Sequence, residues 1–263
     1  MTRPATIMSL LVLICSSCVG LCADARDAMA PAASPGPPQV VVFVADGAGG
    51  FKVASEKLRE TAVADGLPLR VETFDWTHGY WRVLADHIDR DHALREGRDL
   101  AARIIALHKS CPRLTISLVG HSAGCLVVLA AAEALPPESV YRIVLLAPAV
   151  SAGHDLRPAL ACARRGIDVF YSKHDILYLG FAVRILGNTD RAWTAAAGRV
   201  GFQPELAAPG DEVLFDKLRQ YPWAPCLEWT GNEGSHFGAY QPGYLRAAIL
   251  PLLLPDDNPP TKR

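Results

Sequence analysis

Short apolar runs alternate with longer amphipathic stretches from residue 39 to residue 254, and that rhythm is the strongest structural signal in the chain. Val40 to Val44 is continuous and β-branched, as a strand covered on both faces requires. Leu69 to Phe74, Leu114 to Val119, Tyr141 to Leu146, Ile167 to Tyr171 and Leu227 to Thr230 repeat the pattern and predict further strands. Helices are expected over Phe51 to Ala64, His92 to Lys109, Ala123 to Leu135 and near Asp155 to Arg165. A last helix, Gly243 to Leu254, opens after Pro242, a residue suited to the first helical position. Residues 176–225 mix helical pieces with Gly and Pro and are too long for a simple connection. Strands alternating with helices imply an α/β fold: a doubly wound, mostly parallel sheet of about six strands with helices on both faces.

The rhythm is absent at both ends. Arg3 is followed by an apolar core, Met8 to Val19, of export-signal length and too short to span a bilayer comfortably. Ala23-Asp24-Ala25 supplies an A-x-A cleavage site, so residues 1–25 are expected to be a signal peptide and to leave no membrane span once removed. None of Cys15, Cys18 and Cys22 follows a lipobox, so export to the periplasm or the medium is favoured over a lipid-anchored form or a retained anchor. Residues 26–38, with Pro31, Pro35, Pro37 and Pro38, form a linker. Residues 39–254 form the folded domain, and 255–263 a polar, Pro-rich tail.

Composition narrows the function classes. Twenty-six Lys and Arg against 27 Asp and Glu leave a net charge of −1, which gives no electrostatic basis for binding nucleic acid or an anionic membrane surface. The mature chain has no C-x-x-C pair and no H-E-x-x-H, so no metal site is expected. Asp46-Gly47-Ala48-Gly49-Gly50 follows the first strand, yet its glycines match neither the dinucleotide fingerprint nor the P-loop. It is read instead as a loop whose backbone N–H groups approach a substrate oxygen.

In doubly wound sheets, function collects where the strands end at their carboxyl side. That rim carries Asp46, the Trp76–His78 segment, Ser122, Pro148, Asp175 and His236. Gly120-His121-Ser122-Ala123-Gly124 sits between a β-branched run and an Ala/Leu/Val-rich helix, which is the setting of a nucleophile elbow. The flanking glycines let strand and helix approach, and the helix N-terminus favours negative charge at the serine.

On these features the chain resembles the α/β-hydrolases: the elbow at Ser122, an aspartate closing a later strand, and a histidine in the loop after the last strand. The resemblance spans about Gln39 to Leu254 and implies a compact member lacking the family's two leading strands. It also implies the chain order serine, acid, histidine. Of eight histidines only His236 lies beyond Asp175, while His78, His87, His92 and His108 precede the serine, His121 lies within the elbow, and His154 and His174 precede the last strand. Asp175 is favoured as the acid, in competition with Asp155 and Asp190. The resemblance implies a serine hydrolase of the esterase or lipase kind, with Ser122 as nucleophile, His236 as base, and the backbone N–H groups of Ala48 and Ala123 as oxyanion donors. The substrate would be a small-molecule or lipid ester, with no cofactor. A peptidase or acyltransferase using the same residues, or a non-catalytic binding module, are the alternatives. The family's oxyanion loop often begins His-Gly; here Asp46 stands first, and its carboxylate is expected to turn away and bond within the loop.

Three finer expectations complete the reading. Phe181, Trp193, Phe202, Phe215, Tyr221 and Trp223 are candidates for a wall or lid over an acyl pocket, against the plainer reading that most of them pack in the core. Trp76, His78 and Tyr80 are placed along the other side of the cleft. Cys162 and Cys226 precede strands expected to be neighbours and are paired as a disulfide, while Cys125 is read as a buried thiol.

Overall fold

The computed structural model describes residues 40–175, 188–191 and 194–255. The expected signal and linker segments therefore lie outside the described residues, as do Phe181 and Trp193.

The sheet has six strands, all parallel: β1 Val40–Ala45, β2 Leu69–Thr73, β3 Thr115–His121, β4 Arg142–Leu146, β5 Ile167–Tyr171 and β6 Leu218–Pro222. Their spatial order is β2-β1-β3-β4-β5-β6. The period-two geometry of a strand sends alternate residues to opposite faces. Val41, Phe43 and Ala45 accordingly join one core with α3 (Arg90–Ser110), α4 (Gly124–Glu133) and α5 (Arg157–Cys162). Val40, Val42 and Val44 join the other with α1 (Val53–Ala64) and the C-terminal helix. Both faces of the interior strands are covered, so these strands read as largely apolar runs.

Helix α4 lies deepest, with every residue from Gly124 to Ala132 buried. The C-terminal helix is α-helical at Pro242–Tyr244 and Leu250–Leu253 and widens into a π-type turn over Leu245–Ile249. Pro251 has no N–H to return to the carbonyl four residues back, and the wider turn absorbs the mismatch. Short helices α2 (Val83–Ile88), α6 (Ala197–Val200) and α7 (Asp211–Phe215) complete the connections.

The expected last strand is corrected. Leu227–Thr230 lies in a 3₁₀ helix, Pro225–Thr230, opened by Pro225 and closed by Gly231 at φ 84°. The sixth strand is Leu218–Pro222, inside the segment read as a long connection. Its charged and polar residues and terminal Pro hide it from an apolar search, and all are tolerated because it is an edge. The disulfide expectation falls with it: Cys162 is buried on α5, Cys226 is exposed on the 3₁₀ helix, and the two are unbridged. Cys125 is a buried thiol, its pKa pushed well above the usual range by burial.

Candidate active site

Ser122 caps β3 in the left-handed region, at φ 52°. A non-glycine residue there costs on the order of 1–3 kcal/mol and persists only where the surroundings over-determine it. Those surroundings are visible. Ser122 N donates to the Leu146 carbonyl at the end of β4 at 3.0 Å, and the Ser122 carbonyl accepts from Cys125 at 3.2 Å and Ala149 at 3.1 Å. The motif glycines are steric requirements. A Cβ on Gly120 would lie 2.8 Å from Cys125 Cα, and one on Gly124 would lie 2.2 Å from the Ala45 carbonyl oxygen.

Asp175 arrives in a turn just beyond β5, where its amide donates to the Ser172 carbonyl and Ser172 Oγ accepts from the His174 amide. His236 arrives in the loop after the 3₁₀ helix. That loop is shaped by Asn232, whose side chain accepts from Gly234 N and whose carbonyl accepts from Trp223 Nε1. The three side chains meet in one chain of hydrogen bonds: Ser122 Oγ to His236 Nε2 at 2.9 Å, and His236 Nδ1 to Asp175 Oδ2 at 2.5 Å. Asp175 and His236 are buried, while Ser122 is partly exposed. The two competitors for the acid position are engaged elsewhere. Asp155 is half-exposed and caps Arg157, and Asp190 holds the Ser151 amide beside His154.

Parallel topology, an elbow serine in the left-handed region and this order of partners identify the fold. It is the α/β-hydrolase fold.

No protein-family model and no curated protein matches the chain. Solved structures to which it is similar include the catalytic core of an acetyl xylan esterase from Trichoderma reesei, at 15% identity over 82% of this chain and 97% of that one, with a TM-score of 0.46. An α/β serine hydrolase without lid from Xanthomonas campestris is 17% identical over 87% of this chain and 88% of that one, with a TM-score of 0.49. A cutinase-like protein from Cryptococcus sp. is 14% identical over 85% and 98%, with a TM-score of 0.42.

Within this α/β-hydrolase fold, the loop after β1 lies against the elbow: a Cβ on Gly47 would stand 3.0 Å from His121 Nδ1 and 3.3 Å from Ser122 Cβ. Among the described residues, the N–H groups of Ala48 and Ala123 have no hydrogen-bond partner. Asp46 does turn away, but it bonds beyond the loop. Its Oδ1 accepts the Ala54 and Ser55 amides and so supplies the cap that Lys52, at the α1 N-cap, does not. Burial raises its pKa, and Oδ2 has no partner among the described residues.

Two residues that sequence reasoning missed hold this region. Asp86 of α2, with a fully buried side chain, accepts Gly49 N at 2.7 Å through Oδ2, and His78 N at 2.7 Å and Nδ1 at 2.9 Å through Oδ1. Nothing in the sequence marked it, because α2 is a short exposed helix with no periodicity to read. His121 donates Nε2–H to the His236 carbonyl at 3.2 Å and so ties the elbow to the histidine loop. Burial, with the His236 ring beside it, lowers its pKa to about 3, so it stays neutral.

The cleft and lid expectations are redistributed. Trp76 is buried and donates Nε1–H to the Asp46 carbonyl at 2.8 Å, a strut rather than a cleft wall. Phe202 is core, Phe215 packs under Arg157, Tyr221 stacks on Phe170, and Trp223 sits against His174. These four are framework.

Proposed function

We propose that this protein is a serine hydrolase that cleaves carboxylic esters through an acyl-enzyme. The observation that carries the reading is the unbroken relay from a partly exposed, strained Ser122 Oγ through His236 to buried Asp175. A serine hydroxyl is a poor nucleophile near neutral pH and needs a base within hydrogen-bond reach. Ser122 Oγ attacks the ester carbonyl as His236 Nε2 takes its proton. The new C–O bond pushes the carbonyl electrons onto oxygen. The resulting oxyanion meets the N–H groups of Ala123 and Ala48, each such donor being worth about 2.7–4 kcal/mol in the transition state. The C–O bond to the alcohol then breaks, and His236 returns the proton to the leaving oxygen. Water repeats the cycle to free the acid. Asp175 keeps Nδ1 protonated and offsets the imidazolium charge. None of these steps calls for a cofactor or metal. Export of the mature chain, from residue 26 onward, belongs to the same proposal and rests on residues 1–25.

The test is labelling with a fluorophosphonate, with p-nitrophenyl butyrate hydrolysis measured in parallel. Wild type labels and turns over. Ser122→Ala folds, does not label, and loses on the order of 10⁴-fold or more in kcat. Equal labelling of the alanine variant, or none of wild type, sinks the proposal.

A further inference from the structure

The cavity beside Asp175, between Ser172, Tyr221, Asn232 and Tyr244, holds about 20 Å³. That is room for a water, not for an acyl chain. The opposite flank of the serine is different. Phe51, Tyr80, Trp81, Val83, Leu84 and Ile88 are large apolar residues that all face solvent, with Tyr80 at 68% and Trp81 at 69% exposure. They are not scattered. The Phe51 ring centroid lies 5.4 Å from that of Tyr80 and 5.0 Å from that of Trp81, and the two latter rings are 5.7 Å apart, all edge to face. Val83 joins them across Gly49, where a Cβ would meet both Phe51 and Val83 within 2.7 Å. Leu84 and Ile88 share a face of α2 at i, i+4 spacing. A contiguous exposed apolar patch of this kind marks a binding site rather than ordinary surface.

Two observations say what binds. The first is continuity with the serine. Gly47 abuts Ser122, Gly49 abuts the patch, and Trp81 N donates to the Gly49 carbonyl at 3.0 Å. Two virtual bonds of about 3.8 Å each therefore separate the nucleophile's neighbour from the aromatic cluster. The second is strain. Trp81 sits at φ 65°, a genuine outlier for a bulky residue, and the strained backbone holds its ring outward into water. His236, which returns the proton to the leaving alcohol, is held by Asp175 from the loop after β5, so the alcohol is assigned to the His236 side of Ser122. The patch lies on the other side, beyond β1 and β2 in the strand order.

We propose that the shelf formed by Phe51, Tyr80, Trp81, Val83, Leu84 and Ile88 seats the acyl chain of the ester, and that the protein prefers dissolved esters of medium-length apolar acids to acetates. The inference rests on the serine hydrolase reading and deepens it. An acetyl group ends short of the shelf, whereas an octanoyl chain lies across it and removes apolar area from water.

The experiment compares p-nitrophenyl acetate, butyrate and octanoate, all below their aggregation limits, on wild type and on Tyr80→Ser/Trp81→Ser. Wild type is expected to favour octanoate over acetate by at least tenfold in kcat/KM. The double variant loses that preference through KM, while its acetate activity and fluorophosphonate labelling stay within about twofold of wild type. A binding readout stands apart from turnover: in Ser122→Ala, sodium octanoate perturbs tryptophan fluorescence, and adding Trp81→Phe removes the perturbation. An unchanged octanoate-to-acetate ratio in the double variant overturns the shelf and leaves the hydrolase reading intact. So does a shift from dimer to monomer in that variant with the ratio unchanged, which would make the patch a self-association face. Absence of labelling in wild type overturns both.

Discussion

Two buried carboxylates on or just beyond the same strand behave in opposite ways. Asp168, near the start of β5, accepts from Arg142, twice from Arg219 and from Tyr221 Oη, at 2.6–3.0 Å. Burial pushes its pKa up, but the guanidinium groups of Arg219 and Arg142 outweigh this and hold it below the usual carboxylate range. Four donor contacts converge on the carboxylate, and the further bond from Arg219 Nη2 ends on the Arg165 backbone carbonyl. Asp175, just beyond the other end of β5, is joined through His236 to a hydroxyl that reaches solvent. The first arrangement saturates a charge and pins β4, β5 and β6 together. The second joins three groups in a line whose hydroxyl end is partly exposed. The contrast follows the sheet: charge at the closed end of a parallel sheet stabilises, and charge at the carboxyl rim is left something to do.

Three measurements sharpen or break this contrast. Asp168→Ala leaves the Arg142 guanidinium buried without its partner, so urea denaturation should show a loss of about 3–5 kcal/mol, with activity per folded molecule unchanged. A variant of normal stability but low activity would erase the distinction. Asp86→Ala should act the other way. Freeing the Gly49 amide loosens the loop that carries Ala48, and kcat for a soluble ester should fall by on the order of 10²-fold, as when one oxyanion donor is lost, with little change in KM. Loss of stability with kcat intact would make Asp86 purely structural. The effect that is smallest per step is acid sensitivity at His121, which accumulates one pH unit at a time. Its folded pKa of about 3 lies below the ordinary value near 6.5, so the unfolded chain binds the proton more readily. Stability should therefore fall as pH drops below about 6.5, by about 1.4 kcal/mol per unit of pH until the folded pKa is reached. His121→Phe should flatten that slope in a pH series of thermal melts; an unchanged slope would exclude His121 as its source.

Much of this was legible in the sequence. The four interior strands, β1, β3, β4 and β5, announce themselves as largely apolar runs because they are covered on both faces, and edge strand β2, Leu69–Thr73, is legible only as an alternation. The elbow is legible because sterics leave no alternative to Gly120 and Gly124 at that turn. His236 follows from chain order once the family resemblance is admitted. What stayed hidden has a common cause. Edge strand β6 carries Arg219 and Gln220 where an interior strand would carry Val or Ile, and its pattern dissolves. Asp86 and His121 act through hydrogen bonds to backbone groups 37 and 115 residues away, a relation that no local periodicity records. The apolar shelf was missed for a related reason. The sequence groups Tyr80 with Trp76 and His78, whereas Phe51, Trp81 and Val83 become one surface with it only when two loops fold together.

The left-handed serine carries a further meaning. Its backbone is held against its preference in every copy of the molecule, whether or not an ester is ever met. A sequence selected only for staying folded would settle on glycine at position 122, where the same φ is nearly free. Ala147 meets the same backbone demand just after β4, at φ 46°, so the strain belongs to the turns on this rim, and Ser122 is the one of the two that sets a hydroxyl there.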